Sequence, residues 1–367
     1  MNEPADVLVI GGGPCGLLAA LTASEKRKVL LLEKPDKHFS LGKRILVSGN
    51  GRSNFFNEDL LHGERKEEAE GFLSYLSSLG FSYYQEGKLF YPFYNRSECL
   101  QSLLLKAVSR NKNIKVIPGE ALFINKKTKD AVFLSPEKRK ETVSYRDLVL
   151  CTGGRSYDRK DFSYGLLKSV GLPYALFSPC LCPVAVKEKI PSYLKNARMR
   201  GVLSLSLKDQ KIFEESGEVL FKEDGLSGIA VFDSTVRIND VLREDPYSKD
   251  SLTYTLDYLS HDGTRIDDTE GKNSLPLFLS TYLEELHYPY GKPLSFSFLS
   301  LYPFLSSQIS YGGVLLDSIS RKTNQALDND SLYLGGEVLD QNFPCGGYNM
   351  GSSFLDGWRI GKALLSK

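Results

Sequence analysis

An α/β fold is what this sequence predicts, assembled from both ends of the chain around an inserted domain that is part β and part helical. Three observations predict it. An apolar strand, a glycine turn, a Leu/Ala-rich helix and a second apolar strand follow one another within residues 5–33. The texture changes after about residue 180, where Pro179, Pro183 and Pro191 lead into alternating strand-like segments. The first texture then returns as a strand at Ser331–Leu334 and a glycine-led helix over Gly346–Leu365.

The elements justify themselves in order. Residues 5–10 (Ala-Asp-Val-Leu-Val-Ile) read as a buried parallel strand, Pro14–Glu25 as a helix, and Val29–Leu32 as the next strand. Glu64–Leu79 is amphipathic, with Phe72, Leu73, Leu76 and Leu79 on one side. Lys88–Phe93 reads as a short strand and turn. Ser97–Ser109 reads as a helix opening at a Ser cap. Ile114–Ile117 and Ala121–Ile124 read as strands, 131–146 as a hairpin, and Leu148–Cys151 as a buried strand closed by Gly153-Gly154. Strand-like segments run from 200 to 236, including Val202–Leu207 and Glu218–Phe221, and a helix is expected at Leu275–Leu286. The domains expected are 1–184 and 309–367 for the split first domain and 185–308 for the insertion.

Composition narrows the function. The chain has 367 residues, 41% hydrophobic and 25% charged, with net charge +1. That balance draws nothing toward nucleic acid or an anionic membrane. Its apolar runs are too short to span a bilayer, and no signal peptide precedes the first strand, so a cytoplasmic protein is expected. Six cysteines (Cys15, Cys99, Cys151, Cys180, Cys182, Cys345) make no zinc pattern and read as free thiols. Cys180-Leu181-Cys182 leaves a redox or metal role open. His38, His62, His261 and His287 make no motif.

Gly11-Gly12-Gly13-Pro14-Cys15-Gly16 fits G-x-G-x-x-G, and Glu33 ends the next strand 22 residues after Gly11. This is the context a Rossmann-type fingerprint requires. Gly11 permits the turn, Gly13 admits a pyrophosphate to the backbone, and Gly16 lets the helix pack on the sheet. The helix start presents free N–H groups to phosphate. Glu33 accepts from ribose hydroxyls. The fingerprint alone does not separate FAD from NAD. No second copy exists, which argues against a separate nicotinamide domain, and glycine pairs at 153–154 and 335–336 suit a longer ligand.

Three further constellations move the reading toward FAD. Ser48-Gly49-Asn50-Gly51-Arg52-Ser53-Asn54 crowds glycines, amides, hydroxyls and a guanidinium together. Gly49 and Gly51 let backbone lie against a flat ring, and Asn50 and Asn54 suit ring carbonyls and N–H groups. Arg52 suits negative charge on a reduced flavin or a substrate carboxylate. Thr152-Gly153-Gly154-Arg155-Ser156 reads as a turn closing over the cofactor. Gly335-Gly336-Glu337-Val338-Leu339-Asp340 offers Glu337 or Asp340 to ribityl hydroxyls. The amides of Gly347, Tyr348 and Asn349 open a helix whose dipole suits the N1–C2 edge of a flavin. The plainer alternatives are surface loops and an ordinary glycine-capped helix.

With Gly42-Lys43, Gly225-Leu226-Ser227-Gly228 and Gly312-Gly313-Val314 added, this ordered set resembles the bacterial aminoacetone oxidase family of FAD-binding, NAD(P)-linked flavoproteins, which also contains bile-acid reductases. The resemblance runs through most of the chain. It implies a Rossmann-type FAD-binding domain formed by both chain ends, with an inserted β-rich plus helical domain. It implies FAD along the first loop (with Pro14, Cys15, Glu33 and Lys34), Lys43 and Arg44, the Ser48–Asn54 loop, the strand near Ala121, and the helix start with Met350. The family usually has Cys where this chain has Ser53.

The expected activity is transfer of hydride from NADH or NADPH through FAD to a small-molecule acceptor or dioxygen. Tyr348 and Arg52 are candidates for substrate contact, and no catalytic acid or base stands out. Gly225–Gly228 lines the flavin entry or is an internal turn. Arg198 and Arg200 bind an anion or are a solvated turn. An RNA-modifying flavoenzyme is the alternative, disfavoured by the charge balance, and a non-enzymatic flavin-binding module is a third.

Overall fold

Five parallel strands organise the half of the molecule that carries the glycine fingerprint. In chain order they are β1 (Ala5–Ile10), β2 (Val29–Glu33), β3 (Ile114–Pro118), β4 (Lys140–Leu150) and β5 (Asn329–Leu334). They lie in the order 3-2-1-4-5, so the last strand of the chain joins a sheet begun by the first. The computed structural model describes residues 4–35, 41–156, 164–266 and 275–367, without the Asn50 side chain.

Register follows from apolar content. Val7–Ile10 face Val29–Leu32 on one side, and Val9 and Ile10 face Val149 and Leu150 on the other. All eight residues on β1 and β2 in that pairing are buried, as a sheet covered on both faces requires.

The helix Pro14–Ala23 follows β1 at once. Pro14 occupies its first turn, where a missing N–H costs nothing. Every residue from Cys15 to Ala23 is buried, because the sheet lies on one side and the C-terminal helix Tyr348–Leu365 crosses on the other. Gly357 makes that crossing possible: a Cβ there would lie 2.2 Å from the Cys15 carbonyl oxygen. Helix Lys66–Ser78 buries Ala69, Phe72, Leu73 and Leu76; of the apolar side read from sequence, Leu79 instead caps the helix end and is only partly buried. Phe72 stacks on Phe354 at 5.0 Å, tying it to the C-terminal helix.

The chain divides into two units. One comprises Met1–Gly154, Asp161–Phe177 and Gly312–Lys367; the other comprises Arg155–Lys160 and Ser178–Tyr311. The expected insertion, 185–308, lies within the second. That unit is a closed six-stranded barrel, formed by Val184–Val186, Gly225–Ser227, Gln210–Phe221, Arg198–Leu207, Leu252–Asp257 and Leu294–Leu301 in that order. Its interior is filled rather than hollow: Leu203, Phe221, Tyr254, Phe296 and Phe298 form one buried cluster.

Two local expectations need correction. Residues 229–236 are not strand-like but begin a helix, Ile229–Glu244. Its buried face is Ala230, Val231, Ser234, Thr235, Ile238 and Asn239, four of the six small or polar, so the helical period is faint in hydrophobicity. The β-branched residues that remain read as strand. Ser97 does not cap its helix; Arg96 holds that position, and the Ser97 hydroxyl donates to the Leu46 carbonyl at 3.0 Å. The short helices Lys43–Val47 and Tyr164–Val170 carry too few turns to leave a periodic pattern in the sequence.

Candidate functional site

The fingerprint glycines meet the ends of the strands. Gly11 N donates to Leu32 O at 2.9 Å, and a Cβ on Gly11 would strike the Cys151 carbonyl oxygen at 2.2 Å. A Cβ on Gly16 would lie 1.8 Å from Gly11 O, so helix and turn touch backbone to backbone. Gly13 is different: nothing lies within 4 Å of its missing Cβ. The first two glycines are needed by the protein itself; the third leaves an open cradle at a helix N-terminus, which suits phosphate oxygens.

Glu33 stands at the end of β2, and its Oε2 accepts from Gly12 N at 2.5 Å. The acidic residue is thereby fixed against the loop. Lys34 pairs with Glu120 at 2.8 Å, beside Ala121 on the strand Glu120–Asn125. Gly42 N donates to Gly12 O at 2.7 Å, which brings Lys43 and Arg44 to the same edge. Thr152 and Gly153 follow β4 there. Gly335 N reaches Leu150 O at 3.2 Å, bringing the turn after β5 alongside. The segments 11–16, 33–34, 42–44, 152–154 and 335–336 therefore gather at the carboxyl ends of adjacent strands, where ligands bind in open α/β sheets.

A second group forms around residues 48–57 and the start of the C-terminal helix. Ser48 Oγ donates to Ile45 O at 2.7 Å and accepts from Ser53 Oγ at 3.1 Å, at the start of the 3₁₀ turn Ser48–Gly51. A Cβ on Gly49 would lie 2.7 Å from Asn54 Oδ1, while Gly51 opens to free space. Asn57 Nδ2 donates to Gly346 O at 2.8 Å. Gly347 packs on the backbone of Asn54 and Phe56, so the two glycine-rich segments are physically adjoining.

Several side chains have duties that sequence did not reveal. Arg52 donates to Asn95 Oδ1 at 2.7 Å, to Tyr84 at 3.1 Å and to Glu86 at 3.0 Å, and lies 4.4 Å over the Tyr91 ring. Its guanidinium is thus committed to the hairpin 83–92. Tyr348 donates to Asp59, which also pairs with Lys88 at 2.9 Å. The Tyr348 phenol and then Lys88 hold the Asp59 carboxyl below its ordinary range. Asn349 braces the approach loop, donating to Phe343 O at 2.8 Å and accepting from Phe343 N at 3.2 Å. Met350 packs against the core.

The turn carrying Gly336, Glu337 and Asp340 is anchored from behind. Asp356, 1% exposed, accepts from Gly336 N at 2.9 Å and from Gln341 Nε2 at 2.6 Å. It also pairs with Arg65 at 3.0 Å. Arg65 and Arg359 both pair with Glu68, at 2.8 and 2.5 Å. Asp340 N donates to Val314 O at 2.8 Å, and Asn342 Nδ2 reaches Asp340 Oδ1 at 3.4 Å. Asn342 Oδ1 is buried without a hydrogen-bond partner among the described residues. An orphaned acceptor beside such a turn fits a hydroxyl-bearing ligand.

The other flagged residues resolve more simply. A Cβ on Gly225 would lie 1.9 Å from Val184 O, so that glycine belongs to barrel closure. Arg198 pairs with Glu218 at 2.9 Å. Cys180 and Cys182 are free and buried, and burial pushes each thiol up to about 12. No metal-binding group of three His, Cys, Asp or Glu exists among the described residues. No helix of the described residues is long and apolar enough to cross a membrane. His38 lies outside the described residues.

The 3-dehydro-bile acid delta(4,6)-reductase of Clostridium scindens is 25% identical over 98% of both chains. The ribosomal RNA dihydrouridine synthase of Escherichia coli is 22% identical over 99% of both. The solved structure of 3-ketosteroid delta1-dehydrogenase from Sterolibacterium denitrificans superposes with a TM-score of 0.54 at 12% identity, covering 100% of each chain, which speaks to fold alone. The profile of the HI0933-like protein Rossmann domain matches residues 5–363. Over residues 5–363, from β1 into the C-terminal helix, this chain belongs to the HI0933-like family of FAD-binding Rossmann oxidoreductases.

Proposed function

We propose that this chain is an FAD-dependent reductase that takes hydride from NADH or NADPH and delivers it to a small molecule with an electron-poor carbon–carbon double bond. The observation that carries the reading is the convergence of five loop segments on one sheet edge, continued by the adjoining Asn54–Gly347 contact. That run is longer than a mononucleotide needs, and it contains one dinucleotide loop, not two.

In this reading the Gly13 cradle takes the pyrophosphate and Glu33 the adenosine ribose. The Gly336–Asp340 turn takes the ribityl chain, and the Gly347–Asn349 amides take the N1–C2 edge of the ring. FAD, when bound, supplies a two-electron carrier able to accept a hydride and release it. The chain's own residues position it, neutralise charge near the pyrimidine edge and leave one ring face for two partners in turn. Ping-pong kinetics follow from that sharing.

The acceptor class is drawn from chemistry common to two relatives. Dihydrouridine is uridine with two added hydrogens, and a delta(4,6)-reductase likewise saturates double bonds. Hydride adds to such a bond when a conjugated carbonyl withdraws electrons from it.

Anaerobic titration tests the donor half. FAD-loaded protein should bleach with NADH or NADPH, and conjugated enones should restore the colour. A flavin that neither nicotinamide bleaches refutes the donor; one that bleaches but that no enone reoxidises refutes the acceptor.

A second reading, action on RNA, is favoured by the full-length similarity to the ribosomal RNA enzyme. Against it stand three basic side chains of the barrel unit that carry acidic partners: Lys187–Asp250 and Lys195–Glu223 at 2.7 Å, and Arg198–Glu218 at 2.9 Å. A phosphate-binding face needs cations free to release counterions. Binding of ribosomal RNA fragments that weakens steeply with salt, with dihydrouridine formed on turnover, would favour this reading instead.

A further inference from the structure

Beneath the dinucleotide loop lie two thiols that the proposed reaction does not use. Cys15 is the second residue of the N-terminal helix, and Cys151 directly follows β4. Their sulfurs are 3.1 Å apart, and the residues are 4% and 6% exposed. The backbone imposes this proximity. Cys151 N donates to Ile10 O at 2.8 Å, and the Cys15 carbonyl is held against Gly357. Both sulfurs therefore ride on rigid elements rather than on mobile loops. A disulfide brings two sulfurs to about 2.05 Å, so roughly 1 Å of closure remains, within reach of side-chain torsions.

We propose that Cys15 and Cys151 form a reversible disulfide, a redox modification site under the dinucleotide loop whose oxidant is a hydroperoxide. One sulfur, as thiolate, attacks an oxygen of hydrogen peroxide; the O–O bond breaks and a sulfenic acid forms, with one water released once the hydroxide is protonated. The second sulfur attacks the sulfenic sulfur, an S–S bond forms and the S–O bond breaks, releasing the second water. Two thiols and one peroxide become one disulfide and two waters; sulfur gives up two electrons and peroxide takes them. A small dithiol reverses the bond by exchange.

The setting decides the rate. Burial pushes the Cys15 thiol well above its ordinary range, and Cys151 and Asp356 add to the rise. Little Cys15 thiolate exists at neutral pH, so attack by that sulfur is slow there and faster as pH rises. Once formed, it straps the first turn of the phosphate-facing helix to the strand leading into the Thr152–Gly154 turn, across 136 residues of chain. Opening of the cradle is then restricted, and bound cofactor leaves more slowly.

Peptide mapping tests this on the full chain loaded with FAD. The protein is exposed to hydrogen peroxide at neutral and alkaline pH, quenched in acid, unfolded, alkylated and digested without reductant. The expected product is a Cys15–Cys151 linked peptide pair, two hydrogens lighter than its parts, formed faster in alkali and abolished by dithiothreitol. FAD release should slow several-fold in the linked protein and stay unchanged by peroxide in Cys151→Ala. Recovery of Cys15 and Cys151 as separately alkylated peptides, or as separate sulfinic acids, overturns the proposal, with Cys99 and Cys345 reporting that the oxidant acted. The map reads the same bond on protein without cofactor, so failure of the FAD reading cannot be mistaken for failure of this one.

Discussion

The backbone N–H of Gly12 donates to Glu33 Oε2 across 2.5 Å, joining the glycine loop to the acid that ends the next strand. The contact explains why a residue 21 positions away belongs to the fingerprint. One carboxylate oxygen is held by the loop, which fixes the plane of the other. Glu33→Gln keeps the shape and loses the charge. A hydrogen bond to a charged group contributes about 1.5–3 kcal/mol, so FAD affinity should fall roughly tenfold to a hundredfold. Flavin-fluorescence titration measures it, and an unchanged Kd would detach Glu33 from the cofactor.

Gly13 and Gly16 should respond to alanine in opposite ways. At Gly16 the new Cβ would meet Gly11 O at 1.8 Å, and backbone cannot yield that much. Gly16→Ala should destabilise the apoprotein itself. At Gly13 nothing lies within 4 Å, so Gly13→Ala should fold normally, with an unchanged urea midpoint. Its methyl would occupy the space assigned to the pyrophosphate, and FAD affinity should fall by about two orders of magnitude or more. Equal FAD binding in Gly13→Ala and the parent protein would show that the cradle holds something else.

The legible parts of the fold were those with strong local periodicity. The run Val7–Ile10, the glycine loop and the stripe Phe72-Leu73-Leu76 announce themselves because one physical rule acts on adjacent residues. Helix Ile229–Glu244 did not, since Ser234, Thr235 and Asn239 bury polar side chains: Thr235 accepts from Leu181 N at 2.8 Å, and Asn239 donates to Pro179 O at 3.0 Å. Such partners come from distant sequence and leave no local trace. The candidate site divides the same way. Glycine turns were visible, whereas Asp356 and Asp59 were not, because nothing near them in sequence predicts Gly336 or Tyr348 as partners. The spacing Arg65-x-x-Glu68 is the one local hint of the charge network around Asp356.

Asp356 supports a prediction about stability. Its carboxylate, 1% exposed, holds Gly336 N, Gln341 Nε2 and the partly buried Arg65. Asp356→Asn leaves Arg65 with Glu68 alone. Abandoning a fully buried charge costs about 3–5 kcal/mol; Arg65 is only partly buried and keeps Glu68, so roughly 1–2 kcal/mol is expected. The urea midpoint should drop accordingly. FAD affinity should drop as well, since the Gly336 turn loses its anchor. A variant as stable as the parent would mean that Arg65 and Asp356 are spectators.

Tyr348 and Asp59 give a prediction in pH. The phenol is the largest cause of the lowered Asp59 carboxyl, followed by Lys88. A carboxyl with a depressed folded value contributes stability that is fully present above the unfolded value, about 3.9. That contribution is lost as pH falls through the lower folded value. The window is therefore acidic, and nothing should change at neutral pH. Tyr348→Phe removes the phenol and leaves Lys88 in place, so the Asp59 carboxyl should titrate at higher pH than in the parent, though still below its ordinary range. Carboxyl-carbon NMR of labelled aspartate follows the titration directly. Because Tyr348 also opens the C-terminal helix, the same variant separates two roles. A shifted titration with normal FAD reduction makes the phenol a brace for the Glu58–Leu61 turn. A shifted titration with slowed reduction places the phenol at the flavin edge, and an unshifted titration denies the hydrogen bond altogether.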